Sequence, residues 1–205
     1  HKTVIFIRYL NSGDGSMKIC ENILDLVGKT PIIKLSKIMK HFELDFEIWG
    51  KWEAVNPSGS IKDRIAKAMI ESAEKKGDLK PGMTIVVPTA GNTGIAFAAI
   101  GAYKGYNVLI IMPEKMSVER RKILQVFGAK IVLTPGWGSD INASVEYAKK
   151  LVEENPGKYY FFDQWSDENN FLAHYRTTGP EIWEQMNGKI NAFVAGVGTG
   201  GSLLG

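Results

Sequence analysis

Lys62 stands in the run Asn56-Pro57-Ser58-Gly59-Ser60-Ile61-Lys62-Asp63-Arg64, at the mouth of a stretch with helical periodicity. Ser60 and Asp63 have capping-box spacing, and Ile65, Ala66, Ala68, Met69 and Ala73 recur at helical intervals behind them. The spacing predicts Lys62 in the first helical turn, where the positive end of the helix dipole disfavours a second positive charge and lowers proton affinity. A neutral amine in such a place suits Schiff-base chemistry. A solvated lysine is the commoner state of this residue type, so the surroundings decide.

Two loops bear on that choice. Pro88-Thr89-Ala90-Gly91-Asn92-Thr93-Gly94 follows the strand-like Thr84-Ile85-Val86-Val87 and precedes the helical Ile95-Ala96-Phe97-Ala98-Ala99. A strand-to-helix turn of this kind aims backbone N–H groups at an anion. Gly196-Val197-Gly198-Thr199-Gly200-Gly201-Ser202 follows the strand-like stretch Asn191 to Ala195. Its glycines let the backbone wrap a phosphate, and Thr199 and Ser202 add hydroxyl donors. Taken alone, each loop is as readily a plain turn as a binding site.

The elements that would position these loops alternate between strand and helix, which indicates an α/β fold with a mainly parallel sheet. Strands are expected at Thr84 to Val87, Asn107 to Met112 and Ala129 to Leu133. Helices are expected from Ile95, over Val118 to Phe127 and over Ile141 to Glu154, joined by short connections. Lys149, Lys150, Glu153 and Glu154 form the solvated face of the last of these. Breaks between domains are plausible at Pro156-Gly157 and at Ser166 to Asn170.

The chain has 205 residues, 44% of them hydrophobic, enough for one good core or for one domain and part of another. No apolar run approaches a membrane span and no cleavable signal is evident, so a cytoplasmic protein is expected. A single cysteine, Cys20, excludes an internal disulfide. His1, His41 and His174 are scattered without ligand spacing; no metal site is expected, and each reads as structural or exposed. A net charge of +3 gives no footprint for nucleic acid.

The three motifs around Lys62, Asn92 and Gly198, in this order and at these separations, resemble those of the cysteine synthase and cystathionine β-synthase family. Gly28-Lys29-Thr30-Pro31, Leu79-Lys80-Pro81-Gly82, Met112-Pro113-Glu114-Lys115-Met116-Ser117 and Thr177-Thr178-Gly179-Pro180-Glu181-Ile182 extend the likeness from about Ile23 to Gly205. The resemblance implies a tryptophan synthase β-like fold, that of the fold type II pyridoxal phosphate enzymes, with two three-layer α/β domains. It implies an N-terminal domain over 17–165, with a segment near 31–51 crossing to the other domain. A C-terminal domain would begin at 166 and be truncated at 205, the family's remaining portion being absent, so the chain reads as a fragment. Residues 1–16 fall outside the likeness and read as an extension or linker, with Met17 a natural start.

By the same resemblance, Lys62 is the Schiff-base lysine and Asn92 hydrogen-bonds the hydroxyl on the ring of pyridoxal 5'-phosphate. Gly198, Thr199, Gly200, Gly201 and Ser202 hold the cofactor phosphate. Thr89, Ala90, Gly91, Asn92, Thr93 and Gln164 form the substrate side. Ala90 stands where the family usually has a serine, a lost hydrogen bond worth roughly 1.5 to 3 kcal/mol to a charged group. The implied reaction is β-replacement: O-acetyl-L-serine and sulfide give L-cysteine through an aminoacrylate intermediate, in a homodimer. Phe171 to Tyr175 and Asp163-Gln164-Trp165 lean instead towards cystathionine β-synthases, which join serine and homocysteine. Arg120 and Arg121 admit an O-phosphoserine substrate, although a solvated helix face is their plainer reading. Two readings of other classes stand beside these. One is a non-catalytic paralogue acting as a sensor or partner-binding protein, and the other is a dinucleotide oxidoreductase using the glycines at 196, 198 and 201.

Overall fold

The structure, a computed structural model, describes residues 20–136 and 140–205. The expected extension 1–16 and Met17 lie outside the described residues. A short 3₁₀ turn at Ile23–Leu26 leads to β1 (Ile32–Lys34), α1 (Ser36–His41) and β2 (Trp49–Lys51). β1 and β2 pair antiparallel as a two-stranded sheet, Ile33 opposite Gly50. The chain then runs through α2 (Lys62–Lys76), β3 (Thr84–Pro88), α3 (Asn92–Tyr103) and β4 (Asn107–Pro113). It continues through α4 (Val118–Val126), β5 (Lys130–Thr134), α5 (Asn142–Glu153) and β6 (Tyr159–Phe161). α6 (Asn169–Ala173) passes into a π turn at His174–Thr178, followed by α7 (Gly179–Gln185) and α8 (Gly201–Leu204).

β3 to β6 form a four-stranded parallel sheet in the order β5-β4-β3-β6. The uninterrupted apolar runs of β3 and β4 follow from burial on both faces. Ile85, Val87, Val108, Ile110 and Met112 face a core shared with Ile65, Met69 and Ala73 of α2 and with Ile95, Phe97 and Ile100 of α3. Val86, Leu109 and Ile111 alternate to the opposite face, against Ala148, Leu151 and Val152 of α5. The result is three layers, with the sheet in the middle. Each fully buried Ile or Phe in this core contributes about 1.5 to 3 kcal/mol. Gly77, with φ of +77°, ends α2 in the left-handed conformation that glycine adopts without a Cβ clash.

The expected strands and helices of the sheet region form within a few residues of their predicted bounds. α3 begins three residues earlier than Ile95, so Asn92, Thr93 and Gly94 lie in a helical turn rather than in the loop. Lys149, Lys150, Glu153 and Glu154 are exposed on α5, as their charge pattern predicts. The strand expected at 191–195 does not form. Among the described residues it has no strand beside it, and Val194 is 91% exposed, so neither ladder bonds nor burial holds the segment extended.

Candidate active site

The sheet order places a topological switch point between β3 and β6. Chain connections lead from β3 outward through β4 to β5, whereas β6 lies on the other side of β3. At the carboxyl ends of two such strands the following loops part and leave a crevice, the usual ligand position in open α/β sheets. The loop after β3 carries Thr89, Ala90 and Gly91, and the loop after β6 carries Gln164. The hydroxyl of Thr93 donates to Gln164 Oε1 at 2.6 Å, joining the two sides. Both side chains are buried. With Oε1 engaged, Gln164 keeps its Nε2–H donors for another acceptor. Thr89 is buried and accepts from the Gly91 N–H at 3.3 Å, while Asn92 stands exposed at the first position of α3.

Lys62 is the first residue of α2. Its start differs from a capping box: the Ser60 hydroxyl accepts from the Lys62 N–H at 3.2 Å, but Asp63 turns to Ser58. The Asp63 carboxylate accepts from both the N–H and the hydroxyl of Ser58, because the Pro57-Ser58-Gly59 turn brings Ser58 nearer than the Ser60 backbone. Burial pushes the Lys62 amine below its ordinary value of 10.5. Desolvation favours the neutral amine over the ammonium.

The segment from α6 to α8 closes the site. His174, 1% exposed, places Nε2 3.3 Å from the Ser202 hydroxyl and Nδ1 2.9 Å from the Thr178 hydroxyl. Burial first, then the charges of Lys62 and Arg64, push His174 down to about 4. That coupling places the Lys62 amine within electrostatic reach of the residue that touches Ser202. Asn170 Nδ2 donates to the Gln164 carbonyl at 2.6 Å and to the Thr199 hydroxyl at 2.8 Å. A continuous path of hydrogen bonds therefore runs from Thr93 through Gln164 and Asn170 to Thr199. Gly200, with φ of +83°, turns the chain into α8. A Cβ at Gly91 or Gly198 would meet nothing within 4 Å, so the loops are open on that side.

Arg120 does not lie on a solvated face. Its Nη1 donates to the Ala90 carbonyl at 3.1 Å, bracing the loop after β3 from behind. Arg121 donates to the carbonyls of Glu114 and Met116. In the first turn of α2, Arg64 is held by Glu53 and Glu181, with N–O distances of 2.8 and 2.7 Å. Burial raises the Glu181 carboxyl, but hydrogen bonds from Arg64, Lys51 and the Lys29 N–H outweigh it and bring the group down to about 2. Sequence reasoning did not assign Asn170, Arg64, Glu53 or Glu181 a part. The four-residue spacing of Asn170 and His174 was the one signal available, since it puts both on a single helical face. No group of three or more His, Cys, Asp or Glu able to hold a metal occurs among the described residues.

An open parallel sheet with switch-point loops, a half-buried lysine of lowered proton affinity and a glycine turn is the arrangement of an α/β enzyme. The sequence profile of the family described as pyridoxal-phosphate dependent enzymes matches residues 23–205. A cystathionine beta-synthase of Apis mellifera is 49% identical over 191 residues, 92% of this chain and 38% of that protein. Cysteine synthase A of Escherichia coli is 46% identical over 188 residues, 92% of this chain and 56% of that protein. The solved structure of a cysteine synthase from Entamoeba histolytica matches with a TM-score of 0.86 at 39% identity, covering 96% of this chain and 58% of that one. The chain belongs to the pyridoxal-phosphate dependent enzyme family. It spans between 38% and 58% of the lengths of these three proteins.

The residues present fit the cofactor. A lysine whose burial favours the neutral amine suits an aldehyde, and the hydroxyls and glycine backbone of 198–202 suit a phosphate.

Proposed function

We propose that the protein catalyses β-replacement on O-acetyl-L-serine, with sulfide entering at Cβ and acetate leaving, to give L-cysteine. The observation that carries this reading is Lys62, half-buried at the start of α2 with its proton affinity lowered by burial, within electrostatic reach of His174 under the 198–202 loop. Pyridoxal phosphate, when bound, supplies an electrophilic aldehyde and an electron-withdrawing ring that acidifies the α-hydrogen of an attached amino acid. Gly198, Gly200 and Gly201 with the hydroxyls of Thr199 and Ser202 would hold its phosphate. Asn92 would donate to its ring hydroxyl. Lys62 Nζ, whose proton affinity burial lowers, would take the proton from Cα and return it in the second half of the reaction.

Thr89, Gly91, Asn92, Thr93 and Gln164 would grip the substrate carboxylate, Gln164 through the Nε2–H donors that Thr93 leaves free. Ala90 offers a methyl group there. Similarity to the cysteine synthases supports O-acetylserine and sulfide. The 49% identity to a cystathionine beta-synthase supports a second reading, serine with homocysteine. We also propose a cytoplasmic homodimer and a second domain from residue 166, to which the 31–51 segment belongs. Support for that segment's place comes from its separate two-stranded sheet and from Lys51, which bonds Gln185 at 2.8 Å. No helix among the described residues is long and apolar enough to cross a membrane.

Borohydride reduction of the cofactor-loaded gene product, followed by peptide mapping, is expected to find the reduced adduct on Lys62. Lys62→Ala should yield no adduct and no cysteine. An adduct on another lysine would overturn the assignment. Rates with acetylserine plus sulfide against serine plus homocysteine then separate the two reactions, and inactivity with both would favour a non-catalytic paralogue.

A further inference from the structure

Asn170 and His174 lie four residues apart on the face that α6 and its π turn present to the 198–202 loop, both buried. Asn170 Nδ2 carries two hydrogens, and both have acceptors: the Gln164 carbonyl at 2.6 Å and Thr199 Oγ1 at 2.8 Å. A backbone carbonyl only accepts, so the amide can be turned one way alone. Thr199 must then accept from Asn170, and its single hydroxyl hydrogen is left to donate elsewhere. The loop is seated directly on this amide, since a Cβ at Gly201 would lie 2.0 Å from Asn170 Oδ1. Four residues on, His174 makes the matching contact to Ser202.

We propose that Asn170 is a positioning residue which, by occupying the acceptor side of Thr199, presents that hydroxyl as a donor to the cofactor phosphate. This rests on the reading of 198–202 as the phosphate cradle. A hydroxyl free to rotate presents lone pairs to an anion as readily as its hydrogen, whereas one pinned from behind is organised before the ligand arrives. The amide also ties the cradle to the Gln164 loop, so the two walls of the crevice keep a common register.

The test uses cofactor-free protein titrated with pyridoxal phosphate and, separately, with pyridoxal, which lacks the phosphate, followed by tryptophan fluorescence. The readout is the ratio of the two Kd values, a measure of phosphate preference independent of turnover. The unaltered protein should prefer the phosphorylated ligand; if it does not, the cradle reading fails and takes this proposal with it. With that preference intact, Asn170→Ala should reduce the ratio about tenfold while leaving the Kd for pyridoxal nearly unchanged. A ratio that stays as in the unaltered protein, or equal weakening of both ligands, would overturn the positioning role. In a Thr199→Val background, Asn170→Ala should cause no further loss, because the route through the hydroxyl is already removed. Should Asn170→Ala fail to fold, Thr199→Val alone carries the decision: an undiminished ratio means that the hydroxyl does not face the phosphate.

Discussion

His174 shows how a side chain without a metal or a nucleophile to serve comes to titrate far from its ordinary range. It is sealed against solvent, held between two hydroxyls and faced by the cations Lys62 and Arg64, with Glu53 the opposing charge. Unfolded, the imidazole takes up its proton near pH 6.5; folded, it does so near 4. Between those values the unfolded chain binds more protons, so this residue's contribution to stability is complete above pH 6.5 and is lost as pH falls towards 4. Urea unfolding of the protein across that range should therefore lose stability faster than that of His174→Gln, which keeps polar ends and does not titrate. Parallel slopes for the two proteins would sink the assignment. Protonation in place would also force Nε2–H onto Ser202 and set a positive charge beside Lys62, coupling the acid limit of stability to the cofactor side of the site.

α3 packs against β4 with no room to spare. An ideal Cβ on Gly101 would sit 2.5 Å from Val108 Cγ2, and one on Gly94 would sit 2.8 Å from Thr89 Cγ2. Gly101→Ala should cost about 1 to 3 kcal/mol of unfolding free energy through overpacking. Adding Val108→Ala should recover part of that loss, because the two changes share one volume; strictly additive losses by urea titration would refute the close-packing account. These elements were legible in the sequence because their signals are local. The apolar runs of β3 and β4 follow from burial on both faces, and α2 from a stripe that includes Ile65, Met69 and Ala73. The 191–195 segment has the same apolar character but, among the described residues, no strand beside it, and composition alone does not supply one. The lysine and both loops could be read directly, each being a contiguous run. Asn170, His174 and Arg64 could not, since their partners Thr199, Ser202 and Glu181 lie 29, 28 and 117 residues away.

Arg64 joins segments from across the chain. Its guanidinium, on the first turn of the helix that begins at Lys62, meets Glu53 and Thr30 from the first sixty residues, Thr177 of the π turn and Glu181 of α7. The side chain is 1% exposed, so each contact is made out of water, where an abandoned partner costs more than an intact pair contributes. Arg64→Ala should destabilise the protein by about 3 to 5 kcal/mol, because Glu53 and Glu181 are left facing one another with Lys51 as the nearest compensating cation. Neutralising the whole cluster, as Arg64→Met with Glu53→Gln and Glu181→Gln, should restore most of that loss by removing the stranded charges. The two variants separate packing from charge. If both are equally unstable in urea, the arginine acts through the shape it fills; if the triple variant recovers, the paired charges are what hold the early segment, α2 and α7 in one register. Recovery should also remove the acid sensitivity contributed by Glu181. That carboxyl is depressed from 4.5 to about 2, and its stabilisation is complete above pH 4.5 and lost as pH falls towards 2.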